Sequence, residues 1–169
     1  MKEKIMKKRM FLGITLLSLF SLVGCSGSYK YHATLYESSD WVTDSFAKEN
    51  KVQDAKYGSK KTDAESYPTS RTITVEDSAK YKGVFNDGVK ELETDFDKQM
   101  LVVYTTYSIY HRDLHLESMD LKNGTMTITI KEDDGKIGVG YASAPYQRWM
   151  IVKQDKVQGI SQYEVIFDE

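Results

Sequence analysis

The sequence predicts an α+β fold: one curved, mostly antiparallel β-sheet or a small sandwich, with one main helix packed on it. Residues 125–130 alternate polar and apolar side chains, which is typical of a half-buried strand. Asn123-Gly124 just before them fits a type I′ hairpin turn, because both residues tolerate positive φ. Residues 101–104 form a continuous apolar run, which predicts a central strand. With 12 tyrosines and 2 prolines, the composition also favours a β-rich globular domain.

The main helix is predicted over residues 78–86. Glu76-Asp77-Ser78 supplies N-cap candidates for it. Tyr81, Val84 and Phe85 then follow at i, i+3 and i+4, so they share one helix face. Gly88 is expected to end the helix.

The remaining chain is predicted to consist mostly of strands. Residues 47–70 are the exception: they are polar and lysine-rich, which predicts a long mobile loop, although loops of that length are uncommon and part of it could hold an element. Asp134-Gly135 is expected to form a further turn. The other strands are expected at residues 29–36, 71–75, 114–121, 139–142, 148–153 and 163–167.

The N-terminus has the pattern of a secretory signal peptide. Residues 1–9 hold five cations and one anion, and residues 10–23 form an apolar run of 14 residues. That run is shorter than the roughly 20 residues that a helix needs to span a bilayer. The pattern therefore predicts export rather than a membrane-spanning helix.

The apolar run ends in Leu22-Val23-Gly24-Cys25, which contains the only cysteine of the chain. This motif resembles the lipobox of bacterial lipoproteins. The resemblance implies cleavage after residue 24 and lipid attachment at Cys25, on the outer face of the bacterial cytoplasmic membrane. An uncleaved anchor and a free catalytic thiol are the alternatives; an intrachain disulfide is excluded because no second cysteine exists.

Cleavage after residue 24 would leave 145 residues, enough for one domain with a core. Residues 25–28 are expected to form a flexible tether, and residues 29–70 an N-terminal strand followed by the polar loop. The formal charge changes from −2 to −6, since the removed segment carries five cations and one anion. An acidic domain lacks the positively charged surface that binds nucleic acid, so nucleic acid is not expected as a partner.

His111, Asp113 and His115 form the most polar cluster and would share one face of a strand. Two histidines and a carboxylate are possible zinc ligands. The alternative is that they occupy the solvent face of a strand whose other face holds Leu114 and Leu116. The second interpretation is favoured because ligands stepped about 6–7 Å apart along a strand reach one ion poorly, and no cofactor is expected.

Residues 144–149 read Ala-Pro-Tyr-Gln-Arg-Trp, which suggests a proline-led turn that displays Tyr146, Arg148 and Trp149. Tyrosine, arginine and tryptophan are enriched at interface hot spots, so these three are candidate partner-binding residues. In the alternative, Trp149 packs in the core while Tyr146 and Arg148 cover it.

The order of segments from residue 71 onward resembles the PrcB-like domain of bacterial surface lipoproteins. The similarity spans about 85 residues of the segment 71–169 and includes Arg71-Thr72-Ile73-Thr74-Val75, the sequence Asp-Phe-Asp-Lys-Gln-Met-Leu-Val-Val at 95–103, and Ser143-Ala144-Pro145-Tyr146. The family usually has a Gly-Gly-Tyr segment where residues 106–111 contain no glycine. The resemblance implies an accessory lipoprotein that binds and stabilises a surface protease and has no catalysis of its own.

The sequence thus leads us to expect a non-enzymatic, lipid-anchored binding module that acts by protein–protein contact. A binder of a small ligand or cell-wall fragment near Tyr146 and Trp149 is the second expectation. A small metal-dependent enzyme using His111 and His115 is the third.

Overall fold

The computed structural model describes residues 31–53, 67–110, 112–133 and 141–168. These parts of the chain contain seven strands, two α-helices and one 3-10 helix at Lys90–Leu92. The strands and helices in chain order are β1 (Ala33–Glu37), α1 (Asp44–Glu49), β2 (Ser70–Val75), α2 (Ser78–Val84), β3 (Gln99–Tyr110), β4 (Leu114–Lys122), β5 (Thr125–Glu132), β6 (Tyr141–Asp155) and β7 (Gln162–Asp168).

The strands form two sheets that pack face to face. The first sheet has the order β1-β6-β3-β2 and is antiparallel throughout. The second has the order β4-β5-β7, in which β4 and β5 are antiparallel and β7 runs parallel to β5. The predicted class, a small and mostly antiparallel α+β fold, is therefore confirmed.

The first sheet is the middle layer of the molecule, because both of its faces are covered. Val102 and Val152 belong to a core cluster shared with Met126 and Ile128 of the second sheet. A second cluster covers the opposite face, and its members from the sheet and the helical segments are Val42, Val75, Val84, Phe85, Leu92, Leu101, Val103, Trp149 and Ile151. A strand buried on both sides needs apolar residues at every position, which explains the uninterrupted run at 101–104.

The second sheet has only one buried face. Met126, Ile128 and Ile130 are fully buried on that face, whereas the alternating threonines of β5 are only partly buried. This confirms the alternation predicted for residues 125–130, whose period of two assigns one set of side chains to each face.

The helical layer consists of two short helices instead of the single main helix expected. Helix α2 begins where it was predicted, with the Asp77 side chain accepting a hydrogen bond from the Lys80 amide at 2.8 Å. It ends at Val84, two residues early, since Phe85 is extended and forms a bridge with Val42. Helix α1 begins before the segment 47–70 that was predicted as a polar loop and continues into it to Glu49, and β2 begins at its last residue, Ser70. Residues 54–66 of that segment lie outside the described residues.

The two strands expected at 139–142 and 148–153 are one strand, because β6 continues from Tyr141 to Asp155. Pro145 does not form a turn that separates them. It lies where the pairing of β6 with β3 changes register, between the pairs Ser108↔Tyr146 and Tyr110↔Tyr141. Proline is tolerated in a strand at such an irregularity because no ladder hydrogen bond has to be donated there.

No helix in the described ranges is long and apolar enough to cross a membrane. Residues 1–30, with the predicted signal peptide, the lipobox and Cys25, lie outside the described residues, as does Asp134-Gly135.

The hairpin between β4 and β5 has the predicted geometry. Asn123 has a φ of 52° and Gly124 a φ of 82°, and the strands pair directly on either side of them, Lys122 opposite Thr125. A Cβ added at Gly124 would lie 2.8 Å from Oγ of Ser161. Gly88 also has a positive φ, 84°, but a Cβ there would have open space around it.

We therefore expect Gly124→Ala to destabilise the protein more than Gly88→Ala. The control Gly88→Ala should lower the free energy of unfolding by about 1–2 kcal/mol, because a residue with a Cβ is strained in the left-handed region. Gly124→Ala should cost roughly 1 kcal/mol or more in addition, because Ser161 must move to relieve the contact. Urea unfolding of both variants measures the difference, and equal losses would contradict the turn geometry.

Candidate functional site

Strand β6 presents one row of side chains to the second sheet. Met150 and Val152 in the middle of the row are buried in the shared core, and the two ends are Arg148 and Gln154. The two ends are six positions apart along the strand, or about 20 Å at the rise of a strand. Each end of the apolar interior therefore carries a buried polar side chain.

Arg148 is the centre of a charged cluster. Its side chain is only 2% exposed. Nε and Nη2 donate to the two carboxylate oxygens of Glu37, at 2.5 and 2.8 Å. Nη1 donates to Oε1 of Glu132 at 3.1 Å, and Nη2 also donates to the carbonyl oxygen of Arg112 at 2.7 Å. A two-point contact of this kind fixes the orientation of both side chains.

The cluster joins elements from both sheets. Glu37 ends β1 and Arg148 belongs to β6, in the first sheet, whereas Glu132 ends β5 in the second. Arg112 lies between β3 and β4, and its Nη1 donates to Oε2 of Glu132 at 3.3 Å. Two guanidinium groups thus face two carboxylates, and the cluster has no net formal charge.

The electrostatics keep Arg148 charged. Its burial alone would lower the pKa, but the hydrogen bonds and negative charge of Glu37 outweigh that effect, so the pKa is raised. Tyr146, partly buried beside the cluster, has a raised pKa because burial disfavours its phenolate, despite the opposing charge of Arg148. Both residues hold their protons throughout the physiological range.

The structure does not display the three candidate partner-binding residues on a turn. Tyr146 is partly buried, Arg148 is buried in the charged cluster, and Trp149 is 4% exposed on the opposite face of β6. The ring centroid of Trp149 lies 5.8 Å from that of Phe46 in α1. Successive residues of a strand point to opposite faces, so the side chains of Arg148 and Trp149 are directed toward different layers of the molecule.

A shallow cleft of about 280 Å³ opens beside the cluster. Its walls come from residues 37–40, where β1 ends, and from β6. They bring together all three candidate partner-binding residues, Tyr146, Arg148 and Trp149. The amide of Gln147, which also lines the cleft, is already bound, since it donates to the carbonyl of Asn50 and to Oγ1 of Thr105, both at 2.9 Å.

His115 does not join a metal-binding set in the described parts of the chain, which contain no group of three or more potential ligand residues. Its Nε2 lies 2.7 Å from Oδ2 of Asp133 across the β4–β5 hairpin, and both side chains are more than half exposed. Asp113 contributes its carbonyl oxygen, which accepts from the Asp133 amide at 3.0 Å. His111 lies outside the described residues.

Sequence reasoning missed the partners of Arg148. Glu37 is 111 residues away along the chain, and Glu132 is 16 residues away. Each of these glutamates terminates a strand, where a charged residue is ordinary, so neither composition nor periodicity singles it out.

The other end of the β6 row is an uncharged contact. Nε2 of Gln154 donates to the Tyr163 hydroxyl at 2.9 Å, and that hydroxyl contacts Sδ of Met100 at 3.2 Å. Oε1 of Gln154 is buried without a hydrogen-bond partner among the described residues. Burial raises the pKa of Tyr163, and the negative charge of Glu76 adds to the effect, whereas the hydrogen bond from Gln154 opposes it.

Comparison with known proteins identifies no relative of this chain. No family model, no curated protein and no solved structure matches this chain.

Replacing Arg148 should destabilise the protein strongly. Arg148→Met leaves Glu37 without its two donors and removes one from Glu132, and breaking such a pair typically costs about 3–5 kcal/mol. Arg71→Met is the control: it removes a strand arginine whose Nε donates to the carbonyl of Lys51 at 3.3 Å, and it should cost less than about 1 kcal/mol. Chemical denaturation of the two variants measures both values.

The Glu37→Gln substitution should recover part of the loss in the Arg148→Met background, because it removes the uncompensated carboxylate. If Arg148→Met proved no more destabilising than Arg71→Met, Arg148 would not hold the sheets together.

Tyr163 should make stability sensitive to alkaline pH. Its folded pKa lies above the unfolded value, so its contribution is fully present below pH of about 10 and is lost as the pH rises through the folded pKa. Tyr163→Phe should cost about 1 kcal/mol at pH 8, where it removes the hydrogen bond to Gln154. The difference from the unsubstituted protein should shrink between pH 8 and pH 11; a constant difference in urea unfolding would contradict the assignment.

Proposed function

We propose that this chain is a non-enzymatic bacterial lipoprotein, anchored by lipid on Cys25 at the outer face of the cytoplasmic membrane, and that it binds another protein. One observation carries the proposal: a cationic segment, a short apolar run and Leu22-Val23-Gly24-Cys25 follow one another in the order of a lipoprotein signal. Membrane attachment would come from the acyl chains, since a domain of formal charge −6 is repelled by anionic lipid headgroups.

The candidate site supports a binding role without catalysis. Arg148, Glu37, Glu132 and Arg112 bond to one another, so their donors and acceptors serve the fold. A general base needs an accessible group within hydrogen-bond reach of a substrate. The side chain of Arg148 is enclosed and fixed by its carboxylate partners, which suits a rigid scaffold better than a reaction centre.

The partner class follows from the resemblance to PrcB-like domains. The resemblance covers about 85 residues from Arg71 onward and implies an accessory subunit that stabilises a surface protease. Residues 106–111 carry none of the glycines of that family's Gly-Gly-Tyr segment, so a contact made through those glycines is not carried over.

A small polar ligand or cell-wall fragment is the second candidate. The cleft beside Tyr146 favours it, because the cleft combines an aromatic side chain with the carboxylates of Glu37 and Asp40. We rank it lower since Glu37 is already held by Arg148.

Cys25→Ala should abolish lipid attachment and lipoprotein processing. The thiol is the group that would be acylated, so the variant should incorporate no radiolabelled fatty acid and should migrate as the unprocessed chain. Ser26→Ala is the matched control and should be labelled and processed normally. Persistent labelling of the Cys25→Ala protein would contradict the lipobox assignment.

The binding role is tested by crosslinking the full-length protein in intact cells, followed by mass spectrometry. The proposal expects one reproducible protein partner, enriched over Cys25→Ala cells. Recovery of no reproducible partner would contradict the proposal and favour the small-ligand alternative.

A further inference from the structure

The sandwich ends in four edge strands, and three of them are protected. Strand β1 is only five residues long, and β4 is interrupted by a register shift between Leu116 and Ser118. At β2, Arg71 donates to the carbonyl of Lys51 and the Gln53 amide donates to that of Pro68, so residues 51–53 lie beside the start of this strand. Short strands, bulges and covering segments are the usual devices that prevent a sheet edge from pairing with another chain.

In the described parts of the chain, strand β7 is neither as short as β1 nor bulged, although β2 of the first sheet approaches it. It pairs with β5 in continuous register from Gln162 to Asp168, and its sequence, Gln-Tyr-Glu-Val-Ile-Phe-Asp, contains no proline, lysine or arginine. β5 is the only strand that pairs with β7 in the described parts of the chain. The backbone N–H and C=O groups on the outer edge of β7 are therefore directed away from the sheet.

The exposed face of β7 combines one apolar side chain with two acids. Ile166 is 42% exposed, and it is the one large apolar side chain that is exposed in the described parts of the chain. Glu164 and Asp168 flank it at the same strand period and are also exposed. Inward-facing Tyr163 and Phe167 anchor the strand in the core cluster.

The charge of this face indicates what it would accept. If a second copy paired through β7, the acids of both copies would share a face. Lys131 of β5 pairs with Asp168 and offsets part of that charge, whereas the β5 partner of Glu164 is the uncharged Thr127. A partner strand could carry two basic side chains on this face with one apolar side chain between them. It would then place opposite charges across from the acids of β7, which stabilises a strand pair.

We propose that the outer edge of β7 accepts an extended segment of a partner protein as a fourth strand, and that every second residue of this segment is in turn basic, apolar and basic, so that these three side chains share a face with Glu164, Ile166 and Asp168. The inference rests on the proposed protein-binding function and names the surface for it. Main-chain hydrogen bonds to β7 would supply affinity, while Ile166, Glu164 and Asp168 would select the side chains of the added strand.

The test uses the full-length protein in neutral detergent and the labelled peptide acetyl-Thr-Lys-Thr-Val-Thr-Lys-Thr-amide, whose two lysines and one valine lie on the same face of a strand, with fluorescence anisotropy as the readout. The peptide should bind, and its affinity should fall as salt is added. The same peptide with alternate N-methylated residues keeps every charge but loses backbone donors, and it should bind at least tenfold more weakly.

Two variants locate the site. Ile166→Lys should weaken binding at least tenfold, because it places a cation against the basic segment and removes the apolar contact. Thr34→Lys adds the same charge at an exposed position of β1 and should change binding less than twofold. Equal binding of the N-methylated peptide, or no effect of Ile166→Lys, would overturn the proposal.

Two further outcomes are decisive. A dimer of the unsubstituted protein in light scattering that Ile166→Lys abolishes would show that the edge pairs with a second copy, and the proposal would be wrong. If the peptide fails to bind while crosslinking in cells still recovers a partner, the edge is wrong and the proposed function stands. If crosslinking recovers none, the proposed function itself fails.

Discussion

The arrangement of this protein depends on burying one arginine between two sheets. Arg148 lies at the end of an apolar row of β6, and its charge can be kept there only if carboxylates meet it. Glu37 from the first sheet and Glu132 from the second supply them, so the ends of β1 and β5 have to lie on the same guanidinium group. The pairing of the buried arginine with these two glutamates thereby fixes the position of one sheet over the other at this end of the molecule.

The middle position of the first sheet has consequences for recognition. One of its faces is covered by the helical layer and the other by the second sheet, so neither is free to contact a partner. The charged cluster is likewise committed to internal contacts. Surfaces for binding are therefore left at the sheet edges, at the cleft beside Tyr146, on the outer side of the helical layer and on the outer face of the second sheet. Ile166, on that last face, is the large apolar side chain that is exposed in the described parts of the chain.

Local patterns in the sequence were enough to predict the fold class, β5, its hairpin turn and the start of α2. These features depend on near neighbours: a period of two, a pair of residues at positive φ, and an N-cap three residues from its donor. Helix α1 was not predicted, because six residues give too little periodicity. The passage of β6 through Pro145 was missed since proline usually ends a strand, and the register shift that tolerates it depends on β3.

The site was harder to predict than the fold. An arginine next to a tryptophan in the sequence suggested a displayed pair, yet the strand places them on opposite faces and buries both. The partners that allow Arg148 to be buried come from distant parts of the chain, and pairing across tertiary distance has no signature in a single sequence. The resemblance to PrcB-like domains and the lipobox remain predictions that concern partner and location.

Native-state hydrogen exchange tests most directly whether the charged cluster makes the two sheets one structural unit. In the unsubstituted protein, the amides of β5 and β6 should exchange through openings of equal free energy, because the sheets separate only when the molecule unfolds. In Arg148→Met, the β5 amides should exchange through a lower-energy opening than those of β6. Independent opening of β5 in the unsubstituted protein, or equal opening of the two strands in Arg148→Met, would contradict the role of the charged cluster.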